Sequence, residues 1–315
     1  MKLVAVALVR NEADIIEAFV RTNLVLIDAL HVMVHRSTDG TREILQALKA
    51  EGLALTLSEV EEESFNQELH TSAAARAAFR DGADFVFPLD ADEFLRSDSR
   101  AALEQALGDL PPEHVGALRW LTYVPTGQDR VAANPLFRIE HRFNLTPSPV
   151  LDLDYCKVVA GAWFAARPAA RIVEGNHAVF DGAQASTVPC RTVSVCHYPI
   201  RSGDQVAEKA ALGWLAQLAS GRPVEGTSVS GHWQRIFGAL KANGAVTSAD
   251  ITALAAAYVP PASRKNDLVL DPLPHRVDIQ RYASLARPRT FVQALIERAE
   301  SLARIKGGSF PGPTA

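Results

Sequence analysis

A chain of 315 residues is long enough for one large α/β domain or a domain with an appendage, and 48% hydrophobic with 22% charged residues is an ordinary globular composition. The formal net charge of −4 excludes the basic footprint of a general nucleic-acid binder, although a few local arginines and one metal ion can still hold a nucleotide diphosphate. Cys156, Cys190 and Cys196 form no CxxC pair and no zinc spacing, which fits a reducing, cytoplasmic compartment.

Leu3–Val9 is a continuous apolar run and predicts the first buried strand. The apolar stretch before Arg10 is too short for a membrane span and lacks a small-residue cleavage site, so no transmembrane segment is expected. Ala13–Ile27 carries apolar residues at helical spacing, Ala29–His35 reads as a second strand, and Thr41–Glu51 as a second helix with Ile44, Leu45 and Leu48 inward. Leu53–Leu57 predicts a third strand, Phe65–Arg80 an alanine-rich helix, and Asp84–Leu89 a fourth strand. Strands alternating with helices imply βαβ units and a mainly parallel sheet flanked by helices.

Beyond Asp92 the pattern changes. A helix is expected at Ala101–Leu107, a strand at Val115–Val124, a long loop over 125–149, and extended segments at Cys156–Phe164, Arg171–Phe180 and Thr192–His197. Helical patterns then follow at Gln205–Leu218, His232–Ala242, Ser248–Tyr258 and Thr290–Ile305, before a frayed tail. The expected organisation is an α/β domain over 1–200, a helical extension over 201–306, and a flexible tail over 307–315.

Three polar clusters fall at carboxyl ends of predicted strands: Arg10-Asn11-Glu12, Ser37-Thr38-Asp39-Gly40-Thr41, and Asp90-Ala91-Asp92-Glu93. In a parallel sheet those ends share one edge, where ligands bind. Crowded acids repel one another unless a cation lies between them. Oxygen ligands suit Mg²⁺ or Mn²⁺, an ion that bridges carboxylates to phosphates. The cluster therefore reads as a metal–diphosphate site and implies a nucleotide substrate; the alternative is a solvated acidic turn that caps the next helix. Asp39-Gly40 is also a turn dipeptide, Thr41 a plausible helix N-cap, and Glu12 a first-turn acid favoured by the helix dipole.

Together these strand ends resemble the A-type nucleotide-sugar glycosyltransferases, and more narrowly their family 2-like bacterial branch. The resemblance covers residues 3–95 and returns at His197-Tyr198-Pro199-Ile200-Arg201-Ser202 with Lys209 beyond. It implies a Rossmann-like α/β fold with a helical C-terminal extension. It also implies a metal-dependent and inverting transfer of a hexose-type sugar from a nucleoside diphosphate donor to a glycan or other hydroxyl acceptor. Glu12 and Asp39 would contact base and ribose, with Arg10 and Asn11 beside them. Asp90 would lie near ribose and metal, Asp92 would ligate Mn²⁺ or Mg²⁺, and His197, or else His177, would complete the metal site. Two features depart from the family pattern. Ala75-Arg76-Ala77 stands about two residues away from the usual Ala-Arg-Asn, and no adjacent pair of acids follows to supply the base.

Inverting transfer needs a carboxylate to accept the acceptor's proton. The candidates are Asp152 and Asp154, two apart on one face of an extended segment, Glu174 beside Gly175, and Asp181. Arg201 and Lys209, eight apart, read either as one helix face neutralising the departing diphosphate or as a solvated face. Trp120 and Tyr123 lead into the long loop and are candidates for an acceptor wall. Two other functions remain compatible with the pattern. One is a nucleotidyltransferase, although Val9-Arg10-Asn11-Glu12 lacks the glycine of a phosphate loop; the other is a non-catalytic nucleotide-sugar-binding protein.

Overall fold

The structure, a computed structural model, describes residues 1–62, 66–126, 129, 131–145, 156–219, 228–244, 246–259, 264–287 and 291–305. The chain divides into two units, one of Met1–Pro199 with Val259–Arg287 and one of Ile200–Tyr258 with Pro288–Ala315. Residues 259–287, grouped by sequence pattern with the helical extension, therefore belong to the first unit.

In the first unit, β1 (Leu3–Val9), β2 (Ala29–His35), β3 (Leu55–Val60) and β4 (Phe85–Pro88) form a parallel sheet in the order β3-β2-β1-β4. Helices α1 (Ile16–Asn23), α2 (Thr41–Ala50) and α3 (Gln67–Arg80) make the crossovers that parallel pairing requires. All seven residues of β1 are buried because both faces of the sheet are covered. Its alternate residues join two apolar clusters: Leu3, Ala5, Ala7 and Val9 meet α1 and α2, while Val4, Val6 and Leu8 meet Ala74, Ala75 and Ala78 of α3. The expected α/β architecture is present.

Beyond this sheet come β5 (Glu93–Arg96), α4 (Arg100–Gly108), β6 (Val115–Thr122), α5 (Pro135–Arg138), β7 (His141–Leu145), β8 (Cys156–Val159) and α6 (Ala162–Ala165). The short β9 (Arg171–Ile172), β10 (Val179–Asp181) and β11 (Ala183–Gln184) precede β12 (Thr187–His197). A second four-stranded sheet has the order β5-β12-β6-β8, with β12 antiparallel to β5 and parallel to β6, and β6 antiparallel to β8. One antiparallel bridge, Val86 with Ala160, sets β8 beside β4. That bridge decides the site, since the residues just before Ala160 then run alongside those just after Val86.

Several expectations are corrected here. The stretch 125–149 is not one loop. Asn134 caps α5 through Leu136 N–H, and β7 pairs antiparallel with β13 (Arg264–Leu270), a strand that the sequence pattern did not reveal. No helix follows the acidic cluster directly; β5 does, and α4 starts only at Arg100 under its own cap, Ser99. The segment after β13 forms a strap. Buried Glu17 accepts the N–H groups of Arg281 and Tyr282, and Glu51 accepts Arg21 and the Tyr282 hydroxyl.

The second unit contains α7 (Gly203–Ala219), α8 (Ser228–Asn243), α9 (Ser248–Ala257) and α10 (Phe291–Ile305). A reciprocal capping box of Thr247 and Asp250 starts α9. Among the described residues no helix is long and apolar enough to cross a membrane.

Candidate active site

The loops after β1 and β2 are stitched together by short polar side chains. Ser37 Oγ accepts Asn11 N–H, Asn11 Oδ1 accepts Thr38 N–H, and Thr41 Oγ1 accepts Glu12 N–H. Asn11 (φ 56°) and Arg36 (φ 46°) are both left-handed, a cost sustained only where neighbours hold the backbone. The Asp39 carboxylate accepts Ala13 N–H at 2.9 Å, Thr41 N–H at 3.0 Å and the Thr41 hydroxyl at 2.6 Å. It is nearly buried and serves the two loops. The strap closes over this point: Asp39 O accepts Arg287 N–H, and a Cβ on Gly40 (φ 98°) would collide with Leu285 O. Arg10, Asn11 and Glu12 are half-buried at the same edge.

The acidic cluster is not a solvated turn. Asp92 is 2% exposed and Glu93, the first residue of β5, is wholly buried. The missing cation is Lys157 of β8, itself 1% exposed. Its Nζ donates to Asp90 Oδ2 (2.8 Å) and Gly175 O (2.7 Å), and lies 2.7 Å from Glu93 Oε1. Burying an ammonium is costly unless its donors meet such acceptors. Glu93 also accepts the indole N–H of Trp120 and the Asp90 N–H. Burial pushes the Glu93 carboxyl up, to about 8, against the pull of Lys157; the two acids beside Lys157 hold its ammonium above the usual lysine range. Asp90, expected beside a metal, accepts hydrogen bonds from Lys157, from Gln67 Nε2 (2.6 Å) and from Asn176 Nδ2 (3.3 Å).

Asp92 faces a different neighbour. Its Oδ1 lies 3.8 Å from His197 Nε2, its carbonyl accepts Tyr198 N–H, and His197 stacks on Trp120 with ring centroids 4.2 Å apart. The β12–β5 pairing, which sets His197 opposite Glu93, brings the late histidine here. His177 meets Trp120 edge-on at 5.1 Å and its Nδ1 bonds Cys156 O, with desolvation of the ring and then the Lys157 charge lowering its pKa to about 4. His177 is an exposed residue anchored through its Nδ1. Glu174 begins a tight turn, exposed, followed by two left-handed residues, Gly175 (φ 81°) and Asn176 (φ 59°).

Asp152 and Asp154 lie outside the described residues. Asp181 faces Arg167, 3.8 Å away. Tyr123 is no acceptor wall, since its ring is fully buried on Tyr198 and its hydroxyl donates to Asp271 O. Arg201 precedes α7, so it does not share a helix face with Lys209; it is buried, and its N–H donates to Gln205 Oε1. Sequence reasoning missed Lys157, Gln67 and Asn176. Lys157 did leave a signal: a lone cation in the apolar run Cys156-Lys157-Val158-Val159 needs a buried counter-charge.

Among the described residues, no group of three or more His, Cys, Asp or Glu side chains is arranged to hold a metal ion. Asp92 with His197 is a pair, an oxygen and a nitrogen donor at the mouth of an acidic turn. Such a pair fits a divalent ion that takes its other ligands from water and phosphate.

No protein-family model matches the sequence, and no curated protein matches it. Among solved structures, the chain is similar to S. aureus TarS 1-349 (14% identity, TM-score 0.37, 99% of this chain and 93% of that one). It is also similar to mannosyltransferase PcManGT from Pyrobaculum calidifontis, solved with GDP-Man and Mn2+ (18%, 0.35, 98% and 76%). A third is GalNAc-T7 with UDP, GalNAc and Mn2+ (13%, 0.39, 63% and 44%). At these TM-scores the likenesses carry no weight for function, which rests on the site itself.

Proposed function

We propose that this chain is a glycosyltransferase that moves a sugar from a nucleoside diphosphate donor to an acceptor hydroxyl. The observation that carries the reading is the buried acidic turn Asp90–Glu93 at the carboxyl end of β4, with Asp92 directed at His197. The stitched loops at the ends of β1 and β2 support a nucleotide on the same edge, where open α/β sheets bind ligands. Arg10, Asn11 and Glu12 are the residues we assign to the nucleotide, and Asp39 maintains their loop.

Asp92 and His197 would hold Mn²⁺ or Mg²⁺, which when bound supplies a positive charge for the leaving diphosphate. Glu174 is our choice for the base. As the acceptor oxygen bonds to the sugar's anomeric carbon, the bond from that carbon to the diphosphate oxygen breaks. The hydroxyl proton passes to the carboxylate and the nucleoside diphosphate departs, so a single displacement inverts the centre.

Thermal unfolding with nucleoside diphosphates and nucleotide sugars, each with and without Mn²⁺, tests this reading. A ligand that binds only the folded state raises the melting temperature. The expected result is a rise that needs both nucleotide and Mn²⁺, disappears in Asp92→Ala, and accompanies a fall of about 10³-fold in transfer. A wild-type chain indifferent to every nucleotide would sink the proposal.

A further inference from the structure

We infer that Lys157 and Gln67 are a positioning pair that locks the Glu174–His177 turn to the acidic turn. On this inference they set where the proton-accepting carboxylate stands relative to the leaving diphosphate. The inference rests on the glycosyltransferase reading for its consequence, though not for its geometry. Lys157 and Gln67 come from β8 and α3, and each reaches the same two segments. Lys157 Nζ holds Asp90 Oδ2 and Gly175 O; Gln67 Nε2 holds Asp90 Oδ1, while its Oε1 accepts Gly175 N–H at 2.8 Å. Both backbone polar groups of Gly175 are therefore taken by side chains. Asn176 adds a third tie through Nδ2 to Asp90 Oδ1.

The conformation so fixed is an uncommon one. Gly175 and Asn176 are consecutive left-handed residues, and a Cβ on Gly175 would meet the His177 ring at 2.8 Å. Backbone of this kind persists only when its surroundings over-determine it, and such sites gather where function needs a fixed geometry. Neither four-stranded sheet needs this turn, since its residues belong to no strand of either one. What it fixes is Glu174, next to the clamped glycine. Lys157 also occupies the position between Asp90 and Glu93, which leaves Asp92 as the carboxylate of the turn directed at His197.

Two variants and two readouts test the clamp. Gln67→Leu removes one tie and leaves the buried charges balanced; Lys157→Met removes the other. In Gln67→Leu, amide exchange measured by mass spectrometry should rise about tenfold over residues 173–178 and remain unchanged in β1 and β2. In transfer assays both variants should lose kcat, by about a hundredfold, with donor KM within about twofold of wild type, because misplacing a reacting group costs turnover and spares ground-state binding. Unchanged exchange over 173–178 in Gln67→Leu would overturn the inference even if Lys157→Met fails to fold. A loss confined to donor KM would overturn it as well. If the wild type transfers no sugar, the proposed function fails, and the exchange measurement alone decides whether the clamp exists.

Discussion

Two parts of one sheet edge are built in opposite ways. The loops after β1 and β2 are joined by short neutral side chains and one carboxylate, Asp39, all within residues 11–41. The turn after β4 is joined by a buried ammonium from residue 157 and by amides from residues 67 and 176. The first assembly stays within residues 11–41 and uses one carboxylate; the second draws on residues 67 to 176 and depends on a buried cation among carboxylates. Local stitching is forgiving, because each bond contributes little and water can replace it. A buried ion cluster is not, because removing one partner leaves the others uncompensated.

Lys157→Met should therefore be the most damaging change, costing about 3–5 kcal/mol by leaving Asp90 without its cation and removing a polar partner from Glu93 and Gly175 O. Urea denaturation at neutral pH measures it, and a loss below about 1 kcal/mol would erase the contrast drawn above. Asp39→Ala should cost less, about 2 kcal/mol, for three accepted hydrogen bonds at the loops. It should also weaken the nucleotide-dependent rise in melting temperature, and an unaltered rise would show that the loops need no stitching to bind.

The smallest effect separates two carboxylates by pH. Glu51 is held down to about 2, first by its hydrogen bond from Arg21 and then by Tyr282. A lowered carboxyl adds stability above its unfolded value of 4.5 and loses it as pH falls from there toward about 2. Glu93 behaves oppositely: raised to about 8, it holds a proton in the folded state that the unfolded chain has released, so its effect is to lower stability as pH climbs from 4.5 to about 8. Unfolding midpoints of Glu51→Gln and Glu93→Gln, compared with wild type across that range, should flatten the acid limb and the alkaline limb respectively. A single variant that flattens both would contradict the assignment.

The parallel sheet was legible because β1 to β4 are apolar runs separated by helical spacing, a pattern that sequence carries within single segments. The strand ends that carry the three polar clusters were legible for the same reason, and the strand ending at His197 by its alternation. The strands β5, β7 and β13 were not. Glu93-Phe94-Leu95-Arg96 is four residues long and opens with an acid, and Arg264–Leu270 finds its partner more than a hundred positions upstream in β7. Lys157 was missed because its meaning lies in the Val86–Ala160 bridge, a contact that no local pattern encodes. Asp39 was recognised as important, but its bonds to Ala13 and Thr41 were not foreseen: a carboxylate two residues before a helix start serves its own loop as readily as a ligand.

The strap over Gly40 has a consequence for anyone wishing to shorten this protein. Because 259–287 returns to the first unit, a stop codon near residue 200 would delete the partner strand of β7, the N–H groups that Glu17 accepts, and the backbone resting on Gly40. The first unit is discontinuous along the gene. Isolating it calls for an internal excision that joins residue 199 to residue 259, not a C-terminal truncation.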